Sequence, residues 1–263
     1  MKASSNPLRR FPGIGFTAYA FFAYLYLPIV VLLVLSFNAN RSATIWTGFS
    51  TEWYFVVLKN PDILRAAKNS LVVATTATIA ATTVATMAAL ATSRRRFVGL
   101  PAVNGLIALP LVVPEIVTAV ATLLFFALIG FRLGLTTVMI AHTVFCIPFA
   151  YLPIRARLEG MDKALGEAAA DLYANEWQAF RRVTLPLLWP GILAGAMLAF
   201  IISLDDFVIT YFVSGAGATT LPVYIFGMIR IGISPEVNAI STVMLVVSVL
   251  FVSLSYLLSR RRT

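Results

Sequence analysis

The sequence is short of the residues that usually do chemistry. It holds one cysteine, Cys146, one histidine, His142, and only 12% charged residues. A lone cysteine inside an apolar run excludes both a disulfide framework and a CxxC metal or redox pair, so Cys146 reads as a small buried filler. There is no HExxH helix, no GxxxxGK[ST] phosphate loop and no GxSxG elbow. Without a nucleophile and base, or a metal-ligand set, an intramembrane or soluble hydrolase has nothing to work with. No catalytic residue, no metal and no cofactor is therefore expected in this chain. His142 reads as a hydrogen-bonded packing residue, with a proton relay as the alternative.

Apolar residues are what the sequence has in excess. Sixty per cent of the 263 residues are hydrophobic and the mean hydropathy is +0.90, outside the range of globular composition. Six segments, at about 14–37, 69–92, 101–128, 134–154, 185–213 and 237–259, are each long enough to cross a bilayer. This predicts an all-α integral membrane protein of six transmembrane helices, with residues 1–263 forming one domain surrounded by lipid. The first segment exceeds the roughly 7–15 residues of a signal-peptide core and lacks a small-x-small cleavage site, so it is expected to be a retained span. Pro28, Pro110, Pro114, Pro148, Pro153 and Pro222 in or near the spans predict kinked helices whose freed carbonyls are satisfied by neighbours or a cavity. The second span is crowded with Ala and Thr, and Gly191 and Gly195 stand at GxxxG spacing. Both features predict close helix approach, within the chain or against a partner.

The formal charge of +9 does not indicate a nucleic-acid partner, because the basic residues lie in clusters between spans and form no basic face. Placing the N-terminus inside puts 14 Lys and Arg residues on the cytoplasmic side and 6 on the other. Both termini are accordingly expected in the cytoplasm.

Three acids fall within apolar sequence: Glu115, near the centre of the third segment, and Asp205 with Asp206, in the outer half of the fifth. A carboxylate in a membrane costs several kcal/mol unless a partner or water compensates, which makes each a functional candidate. The three read as lining a path for a cation, with Asp205 and Asp206 taken as a pair; pairing with another helix is the alternative. Trp46, in the first external loop, reads either as a cation–π contact for an ammonium or, with Trp53 and Tyr54, as part of an interfacial aromatic belt.

One polar stretch stands out, GEAAADLYANEWQAFRRVTLPLLWPG at 166–191. Leu165, Ala168, Ala169 and Leu172 recur at helical spacing, with Glu167 and Asp171 one turn apart, and a second short helix is expected to hold Trp177, Phe180 and Arg181. An apolar stripe on the water side needs a groove supplied by another subunit. The segment at about 155–186 is read as a docking element.

This stretch resembles the cytoplasmic signature of ABC importer permeases, E-A-A-x-x-x-G-x9-I-x-L-P. Here it runs Glu167-Ala168-Ala169, Tyr173 at the glycine position, then Val183-Thr184-Leu185-Pro186. Tyrosine is a poor residue for the left-handed turn that glycine supplies, and Asn175 is the candidate to take that turn two residues later. The resemblance continues through LSFN (35–38), LPLVVPEIV (109–117), SLDDFVITYFVSG (203–215) and LPVYIFGMIRIGISPEVNAIST (221–242), and is similar to the PotC-like branch of spermidine/putrescine importers.

It implies the type I ABC importer permease fold in a bacterial inner membrane, a homologous second permease subunit, two ATPase subunits that bind ATP and Mg, and an external solute-binding protein. It assigns Glu167, Ala168, Ala169, Asp171, Leu172, Tyr173 and Trp177 to ATPase coupling, and Glu115, Asp205, Asp206 and Trp46 to the substrate path. Two alternatives remain open: a permease for another cationic amine, opine or compatible solute, and a stand-alone channel or proton-coupled carrier. The docking segment argues against the second.

Overall fold

The computed structural model describes residues 12–41, 45–94, 97–162, 164–232 and 234–260. Lys2, Arg9, Arg10, Arg95, Arg96, Lys163, Arg261 and Arg262, which entered the count of cytoplasmic charges, lie outside the described residues. Among the described residues the regular structure is helical, apart from one isolated bridge between Asn38 and Phe49. The chain divides into two units, 1–59 with 228–245 and 60–227 with 246–263.

In the first unit, α1 (Pro12–Leu35) runs unbroken through Pro28. It carries Phe16, Tyr19, Phe21 and Tyr24 exposed, a large apolar surface for a helix of this length. The LSFN segment then folds around a buried Asn38. Its side chain donates to the Ile45 carbonyl at 2.7 Å and accepts from Thr47 N at 3.1 Å. Trp53 Nε1 donates to the Asn38 carbonyl at 2.8 Å, and the Tyr54 hydroxyl meets Ser36 Oγ at 2.6 Å. These bonds tie α2 (Glu52–Lys59) to the end of α1.

The second unit is organised by small residues. Helix α3 (Pro61–Arg94) buries Ala77, Ala81, Ala85 and Ala89, one every fourth residue, so a continuous face without side-chain bulk lies against its neighbours. The third apolar segment is not one helix, contrary to the sequence expectation. It is α4 (Leu100–Val112) and α5 (Glu115–Leu128), bent by 110° at the join. Pro114 explains the break: it has no N–H to donate, and its ring forces Val113 into an extended conformation, ψ 133°. By contrast, α6 (Leu135–Glu159) stays helical through Pro148 and Pro153.

Beyond α6 come α7 (Ala164–Asp171), α8 (Glu176–Ala179) and a π-helical turn at Phe180–Thr184 that runs into α9 (Leu185–Asp205). The fifth span was expected at 185–213. Its apolar helical run is instead 176–205, and α10 (Val208–Val213) is a separate short helix after a break at Asp206. Helix α11 (Leu221–Ile231) and the long α12 (Pro235–Arg260) complete the chain. Among the described residues five helices are long and apolar enough to cross a membrane, and six spans are reached if the bent α4–α5 pair is counted as one.

Antiparallel α6 and α9 meet along a ladder of small rungs. A Cβ on Gly191 would stand 2.7 Å from Arg157 Cβ, and one on Gly195 only 2.6 Å from the Ala150 carbonyl oxygen. Cys146 Sγ lies 3.5 Å from the Ala199 carbonyl oxygen, and His142 Nδ1 is 2.8 Å from Ser203 Oγ. Residues 191, 195, 199 and 203 form one face of α9, so the GxxxG pair packs within this chain. Cys146 is buried there as an apolar filler.

Candidate functional site

The acids lie where helices break. Asp206, the residue after α9, is 7% exposed. Its Oδ1 accepts from Thr210 N at 2.9 Å and from Thr210 Oγ1 at 3.1 Å, and Oδ2 accepts from Ile209 N at 3.4 Å, which caps α10. His142 Nε2 stands 3.1 Å from Asp206 Oδ1 and 2.8 Å from Thr210 Oγ1, while Nδ1 faces Ser203. Since the Thr210 hydroxyl hydrogen is engaged by Asp206, Nε2 must carry a hydrogen and donate. The buried carboxylate is thereby surrounded by donors, the condition under which such a group is tolerated away from water.

Glu115 is the first residue of α5, immediately after the 110° break, and its carboxyl lies beside that of Asp206. It remains exposed, and its position in the first turn places an acid at the positive end of the helix dipole. The structure separates Asp205 from Asp206. Asp205 ends α9 and is exposed, whereas the chain turns to ψ 127° at Asp206 and carries that side chain inward. The two acids read as a pair in the sequence thus differ in burial. Trp46 lies in the other unit and is about half exposed; Trp53 and Tyr54 are held by the Asn38 and Ser36 bonds.

The 164–186 segment is built as two helical pieces around a sharp turn. Leu165, Ala168 and Leu172 of the predicted stripe are exposed, but Ala169 is 7% exposed and packs inside the chain. Tyr173 itself takes the left-handed conformation, φ 56°. Asn175, the expected candidate for that turn, has φ −71° and instead caps α8: its Oδ1 accepts from Gln178 N at 2.8 Å, and Gln178 Oε1 accepts from Asn175 N at 3.1 Å. With its ring 97% exposed, Tyr173 meets only the local Cβ–carbonyl crowding of that conformation, about 1–2 kcal/mol. Leu172, Tyr173 and Trp177 are each exposed, with Trp177 5.7 Å from the Phe180 ring. Among the described residues, no three His, Cys, Asp or Glu side chains are placed to hold a metal ion.

Residues 81–263 match the family model described as the binding-protein-dependent transport system inner membrane component. The chain belongs to this family. It is 41% identical over 244 residues to the spermidine/putrescine transport system permease protein PotC of Escherichia coli (strain K12), covering 93% of this chain and 92% of that protein. Over 231 residues it is 39% identical to the putrescine transport system permease protein PotI of the same strain, covering 85% and 82%. In fold it is similar to a chain of a bacterial ABC transporter involved in the import of the acidic polysaccharide alginate, with TM-score 0.73, 18% identity, and 93% and 92% coverage. The fold is that of the type I ABC importer permeases.

As a binding-protein-dependent inner membrane component, the chain is a multi-pass transport permease subunit and not an enzyme. The matched region contains the candidate site residues above except Trp46 and its neighbours Trp53 and Tyr54. Sequence reasoning picked out the acids but missed the Ser203 and Thr210 partners of His142. A signal was available: a buried acid demands donors, and Asp206 is followed four residues later by a threonine at the start of a helical run. The Pro114-Glu115 dipeptide likewise reads as a helix start.

Proposed function

We propose that this chain is the permease subunit of an ATP-driven ABC importer for polyamines, spermidine and putrescine. It forms the translocation path with a homologous second permease, receives solute from an external binding protein, and is driven by two ATPase subunits docked on the 155–186 segment. Residues 1–263 act as one transmembrane permease domain with both termini in the cytoplasm. The observation that carries the cationic-solute reading is the meeting of two broken helices that bring Glu115 and Asp206 together, with Asp205 exposed at the same break. Broken spans create polar backbone ends at mid-membrane depth, and scattered carboxylates replace the water that a multiply charged amine loses there. Similarity to the two polyamine permeases supports the same solute class.

The docking reading rests on the exposed Leu172, Tyr173 and Trp177 beside an alanine-rich helix short enough to seat in a groove. A stand-alone carrier has no use for that surface. The test is reconstitution of this chain with its second permease, ATPases and binding protein in proteoliposomes. ATP-dependent accumulation of labelled spermidine and putrescine is expected. Accumulation of a neutral or anionic solute alone would contradict the reading.

A further inference from the structure

Helix α4 is held at few points. It buries none of its side chains fully, leaves Leu106, Leu109 and Val112 exposed, and packs mainly against α6, with Ile107 half-buried on the core that α3, α6 and α9 share. Its one polar side chain is Asn104. Asn104 Oδ1 accepts from the Tyr151 hydroxyl at 3.2 Å and from Arg155 Nη1 at 3.4 Å, and Arg155 Nη1 also donates to the Tyr151 oxygen at 3.3 Å. Tyr151 is 3% exposed and its hydroxyl lies 2.8 Å from Thr92 Oγ1 on α3, so its place is set by the α3–α6 core and not by α4.

The same arginine faces the other way as well. Arg155 Nε donates at 2.7 Å to Glu159, the last residue of α6, and α7 begins the docking stretch at Ala164. A guanidinium presents Nε and Nη in one rigid fork, so a single side chain joins the root of the docking stretch to α4. At its far end α4 stops at the 110° break, and whatever displaces α4 displaces that break.

We propose that Tyr151 and Arg155 are positioning residues for transport: through Asn104 they make α4 move with α6 when the ATPase acts on the docking stretch, and so carry that motion to the broken span. This rests on the docking reading above. Apolar contacts between α4 and α6 are non-directional and permit sliding. A polar group bonded across two helices fixes their register, which is how such side chains act in membranes.

The test is the amount of spermidine accumulated per ATP hydrolysed by the complete reconstituted importer. Asn104→Leu removes the acceptor and lowers this ratio about tenfold, while ATP hydrolysis and the amount of co-purified ATPase stay near wild type. Asn104→Asp keeps an acceptor of the same length for both donors and retains most of the ratio. Tyr151→Phe with Arg155→Met lowers the ratio as Asn104→Leu does, and adding Asn104→Leu lowers it no further, since all three disable one link. A wild-type ratio in Asn104→Leu, an N104D no better than N104L, or uptake and ATP hydrolysis falling in step would overturn the proposal.

The docking reading fails separately, if Ala168→Glu leaves ATPase co-purification and uptake intact. A readout without solute completes the test: spin labels on Leu106→Cys of α4 and Leu152→Cys of α6, both exposed positions, in the assembled complex. The distance between the labels is expected to stay the same with and without ATP, and to shift or broaden with ATP once Asn104→Leu is added. An ATP-dependent change without that substitution, or none with it, refutes the joint movement of the two helices.

Discussion

The α6–α9 seam makes a quantitative demand that one methyl group tests. Adding a Cβ at Gly195 places it 2.6 Å from the Ala150 carbonyl oxygen, 3.2 Å from Ala150 Cα and 3.3 Å from its carbonyl carbon. All three are backbone atoms in mid-helix and have no rotamer to escape into. The helices must separate by at least 0.4 Å to reach the 3.0 Å below which real Cβ contacts are essentially never seen. Overpacking of this kind costs about 1–3 kcal/mol. Gly105, in α4, provides the control, because a Cβ there meets nothing within 4 Å. Alanine in a helix is favoured over glycine by roughly 0.5–1 kcal/mol, so Gly105→Ala is expected to be neutral or stabilising. At about 2–4 °C per kcal/mol for a domain of this size, Gly195→Ala melts several degrees below Gly105→Ala. The assay is thermal unfolding of the purified, assembled importer carrying each substitution. Separation of the helices also withdraws Ser203, two turns along the same face, from His142, and loss of that buried hydrogen bond adds to the destabilisation. Equal melting temperatures for the two variants would refute the close seam and the reasoning built on it.

Other perturbations discriminate among the remaining assignments. Ala168→Glu, at an exposed position, leaves the melting temperature within about 1–2 °C of wild type but abolishes ATPase co-purification and uptake, whereas Ala169→Glu buries a charge and destabilises the chain before docking is reached; equal behaviour would remove the distinction between the two faces. Tyr173→Gly relieves the left-handed strain and raises the melting temperature but takes an exposed ring from the docking surface and weakens ATPase co-purification, while Tyr173→Val worsens the strain and lowers the melting temperature, read by unfolding and by co-purification. The purified chain alone hydrolyses no ATP, since it has no phosphate-cradling loop, and turnover appears only when the ATPase subunits are added.

The apolar segments, the docking stretch and the three acids were all legible because each depends on local composition or spacing. Hydropathy finds a span regardless of what it packs against, and this served well for α1, α3, α6 and α12. It failed at Pro114 and at Asp205 because apolar residues continue across both breaks, so the hydropathy window runs on while the helix stops. Helical spacing placed Leu165, Ala168, Ala169 and Leu172 on one stripe. Which member turns inward depends on how α7 sits against α8 and the π-helical turn, and Ala169 proved to be that member. Tyr173 shows a different limit: propensity argued for Asn175, but Asn175 already had a use as the cap of α8, and full exposure let a tyrosine accept the turn. The inequality of Asp205 and Asp206 follows from one backbone rotation that no residue count reveals.

That the exposed Asp205 carboxylate at the helix break meets the cationic solute is the central claim, and charge dependence tests it most directly. The reconstituted importer is compared with its Asp205→Asn variant for KM of uptake of putrescine, which carries two positive charges, and spermidine, which carries three. Loss of one fixed negative charge is predicted to raise both values, and to raise that for spermidine by the larger factor, with the amount of assembled complex unchanged. Identical KM values for wild type and variant with both amines would contradict the claim.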